Sequence, residues 1–213
     1  MCHAWLLSAL LLSGCPRMVP TTDAGGTDGG VVVPHDAGDY DPVAGNGFDG
    51  PILFDNERIA RIDGAGLRAG GTPCREPMRG RIFRVIDGDT VRFTASDGSL
   101  EATVRLIGVD TPEIAHDGMS AECFGDEATA FSTQLVGQDV WLSFDAECRD
   151  DFGRLLAYLH IGGGSGDMWQ RQLLQRGFAR VLTIRPNSQF RTTFESDKSA
   201  AQSADRGLWR ACF

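Results

Sequence analysis

The chain has 213 residues, of which 42% are hydrophobic and 23% charged, and this suits one globular domain with additional segments better than two domains. Its formal net charge is −9, and residues 1–50 contribute more than half of it through six aspartates against Arg17 alone. A protein that binds nucleic acid over a large surface by electrostatics alone should be basic, so the composition excludes that class. It leaves a metal-assisted active site open.

The first fourteen residues are typical of an export signal, with an apolar core from Ala4 to Leu12 and small residues after it. That core is too short to span a bilayer as a helix. The segment Leu12–Cys15 is similar to a bacterial lipobox, which implies cleavage before Cys15 and lipidation of its thiol. Pro16 is not the aspartate associated with inner-membrane retention, so we predict an exported protein anchored at the outer membrane or cell surface. An ordinary secretory signal or a buried segment is the alternative.

The segment from residue 15 to residue 50 is dominated by Gly, Asp, Pro, Thr and Val. Such a composition buries too little apolar surface to offset the entropy of ordering, so we predict a disordered acidic linker. Residues 51–79 form a transitional segment to which the sequence assigns no function. We predict that the folded domain comprises residues 80–213.

Five apolar runs rich in β-branched or aromatic residues predict strands. The runs are Ile82–Ile86, Val91–Phe93, Ala102–Val109, Val140–Phe144 and Leu155–Ile161. Asp97-Gly98 predicts a hairpin turn between the second and third.

Three stretches have a helical spacing of apolar residues: Phe124 to Gly137, Asp167 to Gly177 with Asp167 as N-cap, and Ser188 to Arg206. Strands followed by late helices predict an α+β fold that is mainly β. We expect a five-stranded barrel of the oligonucleotide-binding (OB-fold) type, with antiparallel strands and three packed helices.

Three carboxylates follow predicted strands. Asp89 follows the first run, and Asp110 and Glu113 follow the third, so hairpin-linked strands would bring Asp89 and Asp110 together. Oxygen ligands gathered in this way can hold a hard cation such as calcium. Glu113, just beyond them, could orient or deprotonate a water molecule. Each acidic motif taken alone would usually be an ordinary turn.

Five motifs in order resemble the staphylococcal nuclease (thermonuclease) family over about residues 80–210. They are DGDTV at 87–91, VRLIGVDTPE at 104–113, FGDEATAF at 124–131, DDFGRLLAY at 150–158 and LLQRGFARV at 173–181. The resemblance implies an OB-type barrel that hydrolyses phosphodiesters of DNA and RNA with Ca²⁺ and leaves 3′-phosphates.

The resemblance also implies roles for individual residues. Ca²⁺ would be bound by the carboxylates of Asp89 and Asp110 and by the backbone carbonyl of Thr111. Glu113 would act on the attacking water, and Arg105 and Arg154 would grip the phosphate. Guanidinium forks suit this task because they pair two phosphate oxygens at once and stay charged.

The chain departs from the family at the positions whose side chains flank the bound nucleotide. Asp151-Phe152 precedes Gly153-Arg154, and Leu182 and Ile184 stand where tyrosines would be expected. Since stacking contributes about 1–3 kcal/mol per base, nucleotide affinity and base preference stay open. His116 and His160 have no metal-ligand partner at useful spacing, so we interpret both as surface or structural residues.

Four cysteines remain after Cys2 is removed with the signal and Cys15 is assigned to lipid: Cys74, Cys123, Cys148 and Cys212. An even number in an exported protein favours two disulfides, for which three pairings are possible. We hypothesise Cys123 with Cys148, because both flank loops beside the proposed site, and Cys74 with Cys212, which would join the two ends of the domain.

The sequence therefore predicts a monomeric, lipid-anchored, Ca²⁺-dependent nuclease that acts on DNA or RNA outside the cytoplasm. The alternatives are a catalytically silent nucleic-acid-binding or scaffold module on the same barrel, and a structural surface lipoprotein. The complete set of candidate site residues favours the enzyme.

Overall fold

The computed structural model describes residues 46–68, 71–116 and 118–213. Cys15, the predicted export signal and most of the predicted linker lie outside these ranges. Within them, no helix is long and apolar enough to cross a membrane.

The strands of the described chain are β1 (Met78–Asp87), β2 (Thr90–Ala95), β3 (Glu101–Leu106), β4 (Gly108–Asp110), β5 (Asp139–Ser143), β6 (Leu155–His160) and β7 (Arg180–Leu182). The helices are α1 (Asn56–Arg61), α2 (Gly125–Thr133), α3 (Trp169–Gln175), α4 (Arg191–Ser203) and α5 (Leu208–Ala211). Five strands form a closed barrel in the order β1-β2-β3-β6-β5, which confirms the predicted barrel. Four of its pairings are antiparallel, as expected. β3 and β6 run parallel and close the barrel, so the expectation that all barrel strands are antiparallel is wrong for this pair.

The barrel interior is filled by the side chains that alternate inward along the strands. Phe131 of α2 and Trp169 of α3 stack with their ring centroids 4.9 Å apart and join the helices to this core. The fully buried strand residues include Ile82, Val91, Phe93, Val104, Leu142, Leu155 and Leu159. The three predicted helices correspond to α2, α3 and α4, each shorter than its pattern, and α1 and α5 are additional.

The predicted strand from Ala102 to Val109 is divided in two. Gly108 has φ +84°, a conformation that side chains disfavour, and a Cβ there would lie 2.5 Å from the ring of Phe194. The chain therefore leaves the barrel after β3 and forms β4, which pairs with β7 in a separate two-stranded sheet. This change of direction places Asp110 at the end of β4.

Residues 46–63 form an N-terminal strap that packs on the barrel. The backbone N–H and Nδ2 of Asn46 donate to Asp167 Oδ1 at 2.7 and 2.8 Å, and Arg58 pairs with Asp167 Oδ2 at 3.0 Å. Trp141 Nε1 of β5 donates to the carbonyl of Ile59 at 3.0 Å. The end of the segment predicted as a disordered linker, residues 46–50, and the start of the segment without an assigned function are thus bound into the fold.

Asp167 does not cap α3, contrary to the helix pattern. Met168 occupies the N-cap position, and no side chain caps that helix. Asp167 is fully buried and uses its carboxylate to bind the strap, a demand that local sequence does not reveal. The N-cap prediction was therefore wrong.

The disulfides join Cys74 to Cys148 and Cys123 to Cys212. The hypothesised pairing of Cys123 with Cys148 and Cys74 with Cys212 is wrong. The backbone N–H of Cys74 donates to the carbonyl of Asp145 at 2.7 Å, which holds the segment before β1 beside Cys148. Cys123 precedes α2 and lies against the C-terminal segment, with its Sγ 3.8 Å from the carbonyl of Ala211.

Candidate active site

The site begins at the turn between β1 and β2, where Asp89 is only 5% exposed. Its Oδ2 accepts hydrogen bonds from the backbone N–H of Thr111 at 2.9 Å and from Thr111 Oγ1 at 3.2 Å. Its own backbone N–H donates to Asp87 Oδ1 at 3.0 Å, which fixes the turn. The β1–β2 turn and the end of β4 are therefore locked together.

Arg105 of β3 connects the two predicted metal ligands. Its Nη1 lies 2.7 Å from Asp89 Oδ2, and its Nη2 lies 3.1 Å from Asp110 Oδ1. Nη1 also donates to the carbonyls of Val109 at 2.9 Å and Leu106 at 3.2 Å. These contacts hold the guanidinium in one place, as precise recognition of an anion requires.

Burial raises the pKa of Asp89 to about 7, although the charge of Arg105 opposes the shift, and the neighbouring carboxylate of Asp87 raises it further. Burial disfavours the ionised form of this carboxylate, and a divalent cation bound nearby would stabilise that form. Such a cation is the largest local charge in a site that binds one.

The donors of the predicted metal set fit calcium, which takes hard oxygen ligands from carboxylates and backbone carbonyls. Asp89 and Asp110 would supply carboxylates, and Thr111 would supply a carbonyl. No group of three or more His, Cys, Asp or Glu side chains able to hold a metal occurs within the described ranges. The set therefore depends on the carbonyl and on water to complete the coordination.

Glu113 lies in the loop after β4. Its carbonyl accepts a hydrogen bond from the backbone N–H of Glu122 at 2.9 Å, and its own N–H donates to Glu122 Oε2 at 3.3 Å. Burial raises the pKa of Glu113, and the charge of Asp87 adds to the effect while His116 opposes it. A carboxylate with a raised pKa is a better proton acceptor near neutral pH than an ordinary one.

Two glycines shape the site, and the sequence did not single them out. A Cβ on Gly88 would lie 2.7 Å from Thr111 Oγ1, and a Cβ on Gly125 would lie 2.3 Å from the carbonyl oxygen of Glu113. A larger residue at either position would therefore displace a candidate site residue. The signal available was their place inside the DGDTV and FGDEATAF motifs.

Arg154 immediately precedes β6, whose residue Leu156 is the parallel partner of Arg105. Its Nε donates to Asp150 Oδ2 at 2.7 Å, and its backbone N–H donates to Asp150 Oδ1 at 2.9 Å. Although burial opposes it, these hydrogen bonds from Arg154 lower the pKa of Asp150, which stays ionised as an anchor. The guanidinium also lies 5.4 Å from the ring centroid of Phe152.

Arg105 and Arg154 line one open cleft of about 320 Å³. Its apolar side is formed by Phe152, Leu182 and Ile184, all of which are exposed. An anion at the arginines would therefore lie beside an apolar surface, an arrangement suited to a nucleotide. Arg105 belongs both to this cleft and to the carboxylate cluster formed by Asp89 and Asp110, so it joins the two.

The sequence of this chain is similar to those of several known proteins. A family model described as staphylococcal nuclease homologue matches residues 103–211. Thermonuclease from Staphylococcus hyicus is 35% identical over 130 residues, which is 61% of this chain and 74% of that protein. Thermonuclease from Staphylococcus intermedius is 38% identical over 129 residues, or 60% of this chain and 74% of that protein. Endonuclease YncB from Bacillus subtilis is 35% identical over 131 residues, which is 60% of each chain.

Proposed function

The chain belongs to the staphylococcal nuclease family, and on that premise we propose that it is a calcium-dependent nuclease that hydrolyses phosphodiester bonds of DNA, RNA or both. The observation that carries the proposal is the position of Arg105. This residue holds Asp89 and Asp110 at 2.7 and 3.1 Å and lines the same cleft as Arg154. A carboxylate cluster and two phosphate-binding groups are thereby combined in one site.

The charged side chains of the site have two different partners, the phosphate and the metal ion. Arg105 and Arg154 pair with the phosphate oxygens, whose negative charge increases as a fifth oxygen bonds to phosphorus. Asp89, Asp110 and the carbonyl of Thr111 would hold Ca²⁺, which when bound offsets the charge that develops on the phosphate.

Glu113 accepts a proton from the water molecule whose oxygen bonds to phosphorus. The bond between phosphorus and the 5′-oxygen breaks, and that oxygen leaves beside Arg154 and takes a proton from solvent. The products are a 3′-phosphate and a 5′-hydroxyl.

We also propose that the protein is exported and anchored to the cell envelope through lipid on Cys15, and that it acts as a monomer. The proposal rests on the similarity of Leu12–Cys15 to a lipobox. The two disulfides of the described domain support an oxidising compartment, since such bonds persist mainly outside the cytoplasm.

The test is hydrolysis of single-stranded DNA and of RNA by the purified full-length chain, in calcium and then in excess chelator. We expect activity that the chelator abolishes. Glu113→Gln should lower turnover about a hundredfold or more, since general-base catalysis contributes about 10²–10⁴. Circular dichroism of the variant serves as the folding control. A folded wild-type protein without activity would instead support the catalytically silent binding module.

A further inference from the structure

The ribbon formed by β1 and β2 carries Arg81, Arg84 and Arg92 on its outer face, in a chain whose net charge is −9, and Arg81 pairs with Asp139. Arg84 of β1 lies directly opposite Arg92 of β2. Like charges in this position destabilise a strand pair unless an anionic group offsets them. Arg92 pairs with Glu101, whereas Arg84 is exposed and has no side-chain hydrogen bond or ion pair with the described residues.

Two β-bulges bring apolar side chains to the same face. Ile82 pairs with Phe93 and Arg84 pairs with Arg92, so Phe83 is an extra residue, and Ile86 is extra in the same way. Bulges re-aim side chains and are frequent beside active sites. Here they leave Phe83 42% exposed and Ile86 38% exposed, with the Arg92 guanidinium 5.3 Å from the Phe83 ring centroid.

An open hollow of about 470 Å³ adjoins Phe83 on this face. Its other lining residues are mostly polar: Arg81, Thr94, Ala95, Ser96, Glu101 and Asp139. Arg81 is paired with Asp139 at 2.8 Å, and Glu101 is paired with Arg92. The hollow therefore presents an aromatic side chain among hydrogen-bonding groups, which suits an unpaired base better than an apolar ligand.

The ribbon leads directly to the catalytic candidates. On β2 and β3, Thr90 pairs with Arg105 and Arg92 pairs with Thr103, so Arg92 and Arg105 lie on the same outer face as diagonal neighbours. The ribbon ends in the turn that carries Asp89. At about 3.3 Å per strand residue, Arg81 lies about 20 Å along β1 from that turn, so a track on this face could hold several nucleotides.

We propose that the outer face of the β1–β2 ribbon binds the nucleotides of a single-stranded substrate that flank the scissile phosphate. Arg84 and Arg92 contact backbone phosphates, and Phe83 stacks on one base. Single-stranded nucleic acid is the partner that fits, because an exposed aromatic ring beside the uncompensated charge of Arg84 can stack only on an unpaired base. This inference rests on the proposed nuclease function and adds substrate-length preference to it.

The test compares a dinucleotide with a long single-stranded oligonucleotide as substrates of the full-length chain. The variants are Phe83→Ala, Arg84→Ala and the control Arg191→Ala, which removes an exposed arginine of α4. Phe83→Ala should raise KM for the long substrate about fivefold or more, while Phe83→Tyr restores it. None of these variants should change kcat/KM for the dinucleotide.

Binding of the long oligonucleotide in chelator, where cleavage is prevented, gives a second readout. The slope of log affinity against log salt should fall by about 0.7 in Arg84→Ala, since one phosphate contact is lost, and should stay unchanged in Arg191→Ala. Wild-type values for Phe83→Ala and Arg84→Ala on the long substrate would overturn the track. Equal losses on both substrates would also overturn it. Failure of the wild type to cleave either substrate would refute the nuclease proposal, while the binding slopes would still test the ribbon.

Discussion

His160 should make the stability of the domain fall as the pH is lowered from neutral. The side chain ends β6, is buried with 5% of its surface exposed, and places Nε2 2.8 Å from Ser143 Oγ. Burial lowers its pKa from 6.5 to about 4, although the charge of Asp167 opposes the shift. The structural interpretation made from sequence thus agrees with its buried position.

Proton linkage determines whether the unfolding free energy rises or falls with pH. Between pH 4 and 6.5 the unfolded chain binds a proton at this histidine and the folded chain does not, so the unfolding free energy decreases as the pH falls through this window. At about 1.4 kcal/mol per pKa unit, the shift amounts to about 3 kcal/mol. That is a large share of the roughly 5–15 kcal/mol that stabilises a typical domain.

The assay is urea unfolding of the wild type and of His160→Gln at several pH values in this window. Glutamine does not titrate and can still hydrogen-bond to Ser143, and the carboxylates shared by the two proteins cancel in the comparison. We expect the wild type to lose about 3 kcal/mol more than the variant between the two ends of the window. Parallel curves for the two proteins would refute the reasoning.

Three further changes test other parts of the fold. Asn46→Ala removes two hydrogen bonds from the buried carboxylate of Asp167 and should lower the unfolding free energy by about 1–3 kcal/mol in urea titrations; an unchanged value would mean that the strap contributes little. Gly125→Ala forces a Cβ against the carbonyl of Glu113, so turnover should fall while the circular dichroism spectrum is kept, and full activity would show that the loop adapts. Cys123→Ala opens the disulfide to the C-terminal segment and should cost about 2–4 kcal/mol, whereas a variant as stable as the wild type would contradict that role.

Local pattern predicted the elements whose burial is decided by neighbours in sequence. The five barrel strands follow the apolar runs rich in β-branched or aromatic residues, and most side chains that fill the barrel come from those runs. The approach of Asp89 to Thr111 was expected from the hairpin connection, but it depends on the break at Gly108 that turns the chain into β4. The phosphate-binding role of Arg105 came from the family resemblance, because a strand arginine alone has no such meaning.

Contacts between distant segments could not be predicted in this way. Asn46 and Asp167 are 121 residues apart, and the carboxylate that binds the strap has the local appearance of a helix cap. The cysteine pairing depends on which segments adjoin in space, which the even count leaves undetermined. The bulge at Phe83 is equally hidden, because an extra strand residue shows only when both partners are in register.

The parallel pairing of β3 with β6 has a consequence for the order in which the chain folds. A parallel pair requires a long crossover, and the chain between residues 107 and 154, which contains α2 and β5, must be placed before the two strands can meet. Closing this long loop costs conformational entropy before the β3–β6 hydrogen bonds compensate for it. We therefore expect the β3–β6 pairing to form late. Because Arg105 lies on β3 and Arg154 immediately precedes β6, the cleft that they share is completed only when the barrel closes. Folding intermediates in which only the β1–β2–β3 meander has formed would therefore hold Asp89 and Arg105, while Asp110 of β4 and Arg154 would not yet be in place.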